Sequence, residues 1–256
     1  MDGPSIIGQM AWFVILTFIY TYLEYGIRVQ DKPDSENKVF AYKAIYILLA
    51  VIGQYFITVS ASAALCGTPQ YYTALFATAF PWIFIFGVMI GMLSVFPGWV
   101  MPLANTIGYL VANSMGMGKL ANEIFAKPEE GSDMDPDLVK ALSFIYTDKA
   151  SLLNNVTPSN FEDFWKNGEK LRVPMEDDEE KKKTKKKFKD FVLLKYAIGV
   201  GMWYLMTGVL VISVSYNAIV NASCTTNVSQ ISQEASTLLE SQNAAQVEYP
   251  RYVSKE

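Results

Sequence analysis

The chain has 256 residues, of which 51% are hydrophobic and 18% charged, with a net charge of −4 and a mean hydropathy of +0.19. It has no histidine and two cysteines, Cys66 and Cys224, which excludes Ser-His-Asp triads, Cys-His pairs, histidine metal sites and all-cysteine zinc sites. Gly116-Met117-Gly118-Lys119 lacks the first glycine and the Ser/Thr of a phosphate loop. No catalytic, cofactor or metal constellation emerges, and the chain reads as a non-enzyme.

Charges are sharply segregated. From Ala44 to Gly118 there is no Asp, Glu, Lys, Arg or His, far beyond the about 20 residues that cross a bilayer. In water such a block would expose large apolar patches. It predicts an all-α integral membrane protein with four transmembrane helices and a soluble helical insertion. Residues 1–118 hold three spans plus an interfacial or re-entrant segment, and 119–190 the insertion. Residues 191–220 form the fourth span and 221–256 a polar tail.

Gly3 to Leu23 is the first span. It lacks a basic n-region and an A-x-A cleavage pattern, so it reads as a retained helix, not a signal peptide. Glu24 to Lys43 reads as a charged loop carrying Arg28, Lys32, Lys38 and Lys43, with a turn at Pro33-Asp34-Ser35. Ala44 to about Leu65 is the second span, closed by Cys66-Gly67-Thr68-Pro69. Tyr72 to Val95 is the third, with Pro81 placed to kink it. Gly87 and Gly91 form either a close-approach GxxxG or the ordinary small-residue content of such helices.

In Phe96–Gly118, Pro97-Gly98 turns the chain, and Pro102, Asn105 and Asn113 make a poor lipid-spanning helix. Lys119–Lys189 holds fourteen of the 21 Lys/Arg residues and Glu24–Lys43 four. With Phe96–Gly118 not crossing, both basic regions share one side, the positive-inside pattern.

The insertion begins with an acidic linker, Glu129, Glu130, Asp133, Asp135 and Asp137. Asp135-Pro136 starts a helix running to about Leu153, with Leu138, Leu142, Ile145 and Tyr146 on one face. Ser159-Asn160-Phe161-Glu162 reads as a capping box. Phe161, Phe164 and Trp165 then form an apolar face that needs a partner: the other helix, the membrane surface or another protein. In EDDEEKKKTKKKFK, Asp178–Lys182 and Glu179–Lys183 have i,i+4 spacing. Lys181, Lys182, Lys183, Lys185, Lys186, Lys187 and Lys189 abut the last span. They serve as an orientation signal or additionally contact anionic lipid or an acidic partner. No aromatics interleave them, so nucleic acid ranks lower. Lys195, one turn into Phe191–Val220, is placed to snorkel to the surface. In the tail, Val228, Ile231, Ala235 and Leu238 have heptad spacing, and Asn221 and Asn227 open sequons. Cys66 and Cys224 fall on the same face near membrane boundaries. They pair if that face is oxidising; otherwise they are two unrelated buried thiols.

The string Phe96-Pro97-Gly98-Trp99-x-x-Pro102-x-x-Asn105-Thr106-x-Gly108-Tyr109-Leu110 resembles a motif of membrane proteins from large DNA viruses that carry a lipid bilayer beneath an icosahedral capsid. Leu103-Ala104 stands where that motif has Phe-Ser, and Ile107 where it has an aromatic. The resemblance implies a minor capsid or inner-membrane protein joining bilayer to shell, in a virion membrane derived from host endoplasmic reticulum. Its partners would be lipid, other capsid or membrane proteins, and a second copy of the chain. The basic side would face the capsid and the tail the virion interior. The alternative is a channel or transporter, since Thr106-Ile107-Gly108-Tyr109 is similar to a potassium-channel filter. There the second glycine is replaced by Leu110, which resists the positive φ a filter needs.

Overall fold

A computed structural model describes residues 6–125, 147–175, 177–222 and 224, with isolated positions 137, 139, 140, 143, 236 and 237. The linker acids Glu129, Glu130, Asp133 and Asp135 lie outside the described residues. So do Leu138, Leu142, Ile145 and Tyr146, the tail heptad and Asn227.

The protein is an all-α membrane protein. Among the described residues, four helices are long and apolar enough to cross a bilayer: α1 (Ile6–Val29), α2 (Ser35–Cys66), α3 (Tyr71–Val95) and α8 (Asp178–Val220). Among the described residues between α3 and α8 lie four shorter helical elements and a 3-10 turn, Glu169–Leu171. Helix α4 is assembled from a 3-10 turn Pro97–Val100, an α turn Met101–Leu103, a π-helical stretch Ala104–Gly108 and an α-helical end Tyr109–Ser114. Then come α5 (Met117–Ile124), α6 (Lys149–Asn155) and α7 (Phe161–Asn167).

The expected charged loop from Glu24 to Lys43 is much shorter. Helix α1 continues to Val29 because Arg28 pairs with Glu24 one turn back, at 3.0 Å. Helix α2 starts at Ser35, whose Oγ accepts the Lys32 backbone N–H at 3.1 Å. Arg28 also reaches Glu36 on α2 at 2.9 Å. Charged residues prolong both helices beyond the apolar zone.

Helix α8 is the axis of the bundle. Within its most apolar window 44% of residues are buried, against 22–28% in the other three spans. The glycines of α8 set the register. A Cβ on Gly208 would collide with the Phe13 ring, and one on Gly201 would sit 2.5 Å from Thr21 Oγ1. Helix α1 therefore runs antiparallel to α8, with the Phe13 ring and the Thr21 side chain seated directly on the α8 backbone at these glycines, the close packing that small residues allow in lipid. The Gly87–Gly91 pair makes no such approach: a Cβ on Gly91 would meet nothing within 4 Å. That stretch presents Ile83, Phe84 and Val88 outward instead.

Aromatic side chains fill the bundle. Phe13 meets Trp82 edge-on at 5.8 Å, and Tyr20 stacks on Tyr46 at 4.6 Å. Phe18, Phe40, Phe56, Phe76 and Phe80 stand exposed around the outside, where lipid solvates them. Each π-helical turn follows a proline, Trp82–Gly87 after Pro81 and Ala104–Gly108 after Pro102. The missing N–H and ring clash disturb the regular ladder there.

A second core lies at the basic end. Met117, Ile124, Phe125, Leu153, Phe161, Trp165, Phe188 and Val192 pack together, so α5, α6 and α7 close onto the charged extension of α8. Val173 N–H donates to Ile124 carbonyl at 2.9 Å, and the Arg172 guanidinium lies 4.1 Å over the Trp165 ring. Burial holds that guanidinium below its usual pKa, with Glu169 opposing the shift.

The two ends of the bundle are tied differently. At the basic end Lys189 pairs with Asp31 at 2.8 Å. At the other end Cys66 and Cys224 form a disulfide, with Cα atoms 5.5 Å apart. Helix α4 stays in the basic-side half, since Ala104 lies against Gly199 and Gly108 against Lys195.

Two outcomes follow. Phe161→Ala should destabilise the basic-end core by about 3–5 kcal/mol, read as protease cleavage within 149–175 while α1–α3 stay resistant. Reduction, or Cys66→Ser, should shift gel mobility and lower thermal stability by about 2–4 kcal/mol; equal mobility of oxidised and reduced protein would contradict the bond.

Candidate functional site: a lysine anchored between bundle and basic-end core

The motif stretch and Lys195 form one structure. Phe96 leaves helical geometry at φ −121°, ψ 73°, and Pro97 starts the next turn, where its missing N–H costs nothing. The Trp99 carbonyl then accepts the Trp203 indole N–H at 2.8 Å. Thr106 Oγ1 donates to the Pro102 carbonyl at 2.7 Å. Ala104 packs against Gly199, where an added Cβ would lie 2.8 Å from the Ala104 Cβ and backbone nitrogen. Gly108 lies so close to the Lys195 carbonyl that no Cβ fits. The register is antiparallel, so the motif is a clamp on the basic-side half of α8.

Asn105 and Lys195 supply the polar centre of this clamp. The Lys195 ammonium donates to Asn105 Oδ1 at 3.0 Å and to the Leu153 carbonyl at 2.8 Å, with the Asn154 carbonyl at 3.5 Å. All three acceptors are neutral oxygens. Lys195 is 1% exposed. Snorkelling is therefore not what this lysine does: Leu153 and Asn154 close over it, and its three donors are taken up inside the protein. The ammonium bonds at once to the membrane clamp and to the C-terminal turn of α6. It thereby fastens the basic-end core to the bundle. The last carbonyls of a helix are natural cation acceptors.

The other singled-out residues are placed as follows. Phe161 and Trp165, expected to face a partner, are buried in the basic-end core, and Phe164 packs against its edge. The apolar face exists, but α5 and α8 of the same chain cover it. The capping box does not form. The Asn160 side chain turns back to accept the Thr157 N–H at 2.7 Å, and Glu162 pairs with Lys189 and Lys185 of α8. The seven lysines divide. Lys181, Lys182, Lys185 and Lys189 pair with Glu169, Glu179, Glu162 and Asp31. Lys183, Lys186 and Lys187 make no ion pair among the described residues. Asp178 and Glu179 therefore do not form the i,i+4 bridges expected from spacing; Lys182 turns to Glu179 at i,i+3 instead. Thr106 to Tyr109 is helical. Among the described residues no group of three or more His, Cys, Asp or Glu is placed to hold a metal.

Spacing alone missed the Lys195–Asn105 contact, although both residues are polar interruptions of apolar segments, the usual mark of a structural or functional pair. No protein-family model, curated protein or solved structure matches the chain.

A double-mutant cycle tests the clamp. Asn105→Leu should cost more than Lys195→Met/Asn105→Leu, because the single variant leaves an ammonium short of an acceptor. The expected coupling is about 0.5–3 kcal/mol by thermal unfolding in detergent; zero coupling would mean the contact contributes nothing.

Proposed function

We propose that this chain is a structural membrane protein that fixes a bilayer to a protein layer on its basic side. Combined with the motif resemblance, the reading becomes a component of a large DNA virus that joins its internal membrane, derived from host endoplasmic reticulum, to the capsid shell. One observation carries it. Helix α8 runs without a break for 43 residues, from the far side of the bundle into the basic-end core. Its charged extension from Asp178 to Asp190 projects by about 20 Å. A movable insertion on flexible linkers would not transmit position; a core built on the same helix as the anchor does.

Helical geometry at Thr106–Tyr109 favours this reading over a channel. A filter needs its carbonyls free to line a pore, whereas here they belong to helical turns and the Gly108 backbone is pressed against α8. The exposed outer surface of the basic-end core carries Asp163 and Lys166 on α7, with Val173 and Pro174 nearby. This surface would meet the partner in place of the buried Phe161 and Trp165.

Lysine-directed cross-linking of intact particles, followed by peptide mapping, tests the reading. Lys166 should link to a shell protein. Links from Lys166 only to other membrane proteins, or ion flux through the purified chain in liposomes, would overturn it.

A further inference from the structure

Lys183, Lys186 and Lys187 lie on the extension of α8 and are drawn into no internal ion pair among the described residues. Lys183 and Lys187 continue a stripe through Leu194, Gly201 and Leu205, residues that recur on one helical face. Below the lysines, that face opens into an apolar groove of about 400 Å³. Its walls are Phe18 and Tyr22 of α1, Ile107 and Val111 of α4, and Leu194 and Leu205 of α8. The small side chains at Ala197 and Gly201 form part of its lining. Phe18, Tyr22 and Ile107 are also exposed at the bundle's outer surface, so the groove opens to hydrocarbon. At its head Tyr25 lies within electrostatic reach of Asp190, and Lys186 and Lys189 in turn offset that carboxylate.

We propose that the groove and the lysines above it form a binding site for one anionic phospholipid of the basic-side leaflet. An acyl chain lies between α1, α4 and α8, and the phosphate meets Lys187, with Lys183 and Lys186 beside it. Charge complementarity selects the occupant. A zwitterionic lipid would fill the groove equally well, but the cation of its own headgroup balances its phosphate. A headgroup of net negative charge is the better match for Lys183 and Lys187, which make no ion pair among the described residues, and for Lys186, which lies near Asp190. A second transmembrane helix would cover the apolar walls without answering the lysines. The proposal requires only that the chain sits in a bilayer and is independent of any shell partner.

The test uses the full chain in nanodiscs of equal phosphatidylglycerol and phosphatidylcholine, with native mass spectrometry of the released protein. The wild type should keep one phosphatidylglycerol with roughly tenfold preference, as expected for a few lysines at a headgroup. K183Q/K186Q/K187Q should lose the preference, while K38Q, an exposed lysine on α2, should keep it. I107W should displace the lipid by filling the groove from an exposed position, with the thermal unfolding of the protein unchanged. Equal retention of the two lipids by the wild type would overturn the proposal. So would an unchanged preference in the triple variant, lipid retained by I107W, or a dimer in place of bound lipid.

Discussion

Helices in hydrocarbon gain nothing from hiding apolar surface, because lipid already solvates it. What holds this bundle is close approach to the α8 backbone: the backbones of α4 and α8 nearly touch at Ala104–Gly199 and Gly108–Lys195, and the side chains of Thr21 and Phe13 sit directly on Gly201 and Gly208. Each of these positions admits a neighbour that a single methyl group would push away. Aromatic rings then fill the wider gaps between α1, α2 and α3. The order matters: glycines set the distances, and rings such as Phe13 and Tyr204 fit the spaces those distances leave.

The spans were legible because lipid imposes a simple rule on composition. An unbroken charge-free block can only be apolar helices, and Cys66-Gly67 and Phe96-Pro97 mark breaks that the backbone obeys, with Gly67 at φ 70°. The separation of basic from neutral ends was equally readable. Contact partners were not. Periodicity identifies an apolar face at Phe161 and Trp165 but carries no information on what covers it. The glycines at 87 and 91 match a known spacing yet face outward, while Gly201 and Gly208 of α8, two turns apart, are the ones that touch α1. Spacing reports which residues share a face, and tertiary geometry decides which face meets a neighbour.

The motif from Phe96 to Leu110 has a physical account on its own terms. Proline and glycine turn the chain, tryptophan offers its carbonyl to Trp203, asparagine meets a buried ammonium, and glycine lets two backbones touch. Each residue type does something its neighbours in the alphabet would not. Histidine or glutamine at 105 would place the acceptor differently, and any side chain at 108 would lift α4 away. Between these contacts, Ala104 packs on Gly199 and Ile107 faces outward.

The bond between Cys66 and Cys224 closes the polypeptide into a ring that threads the bilayer. Because α2 and α8 are joined beyond the far surface, a pull applied to the outer end of α8 is shared by a second, separately embedded rod. Extraction then requires dragging a closed hoop through hydrocarbon, with the polar turn at its bend. A bundle closed this way resists tension along the membrane normal without needing any tight grip at its outer end.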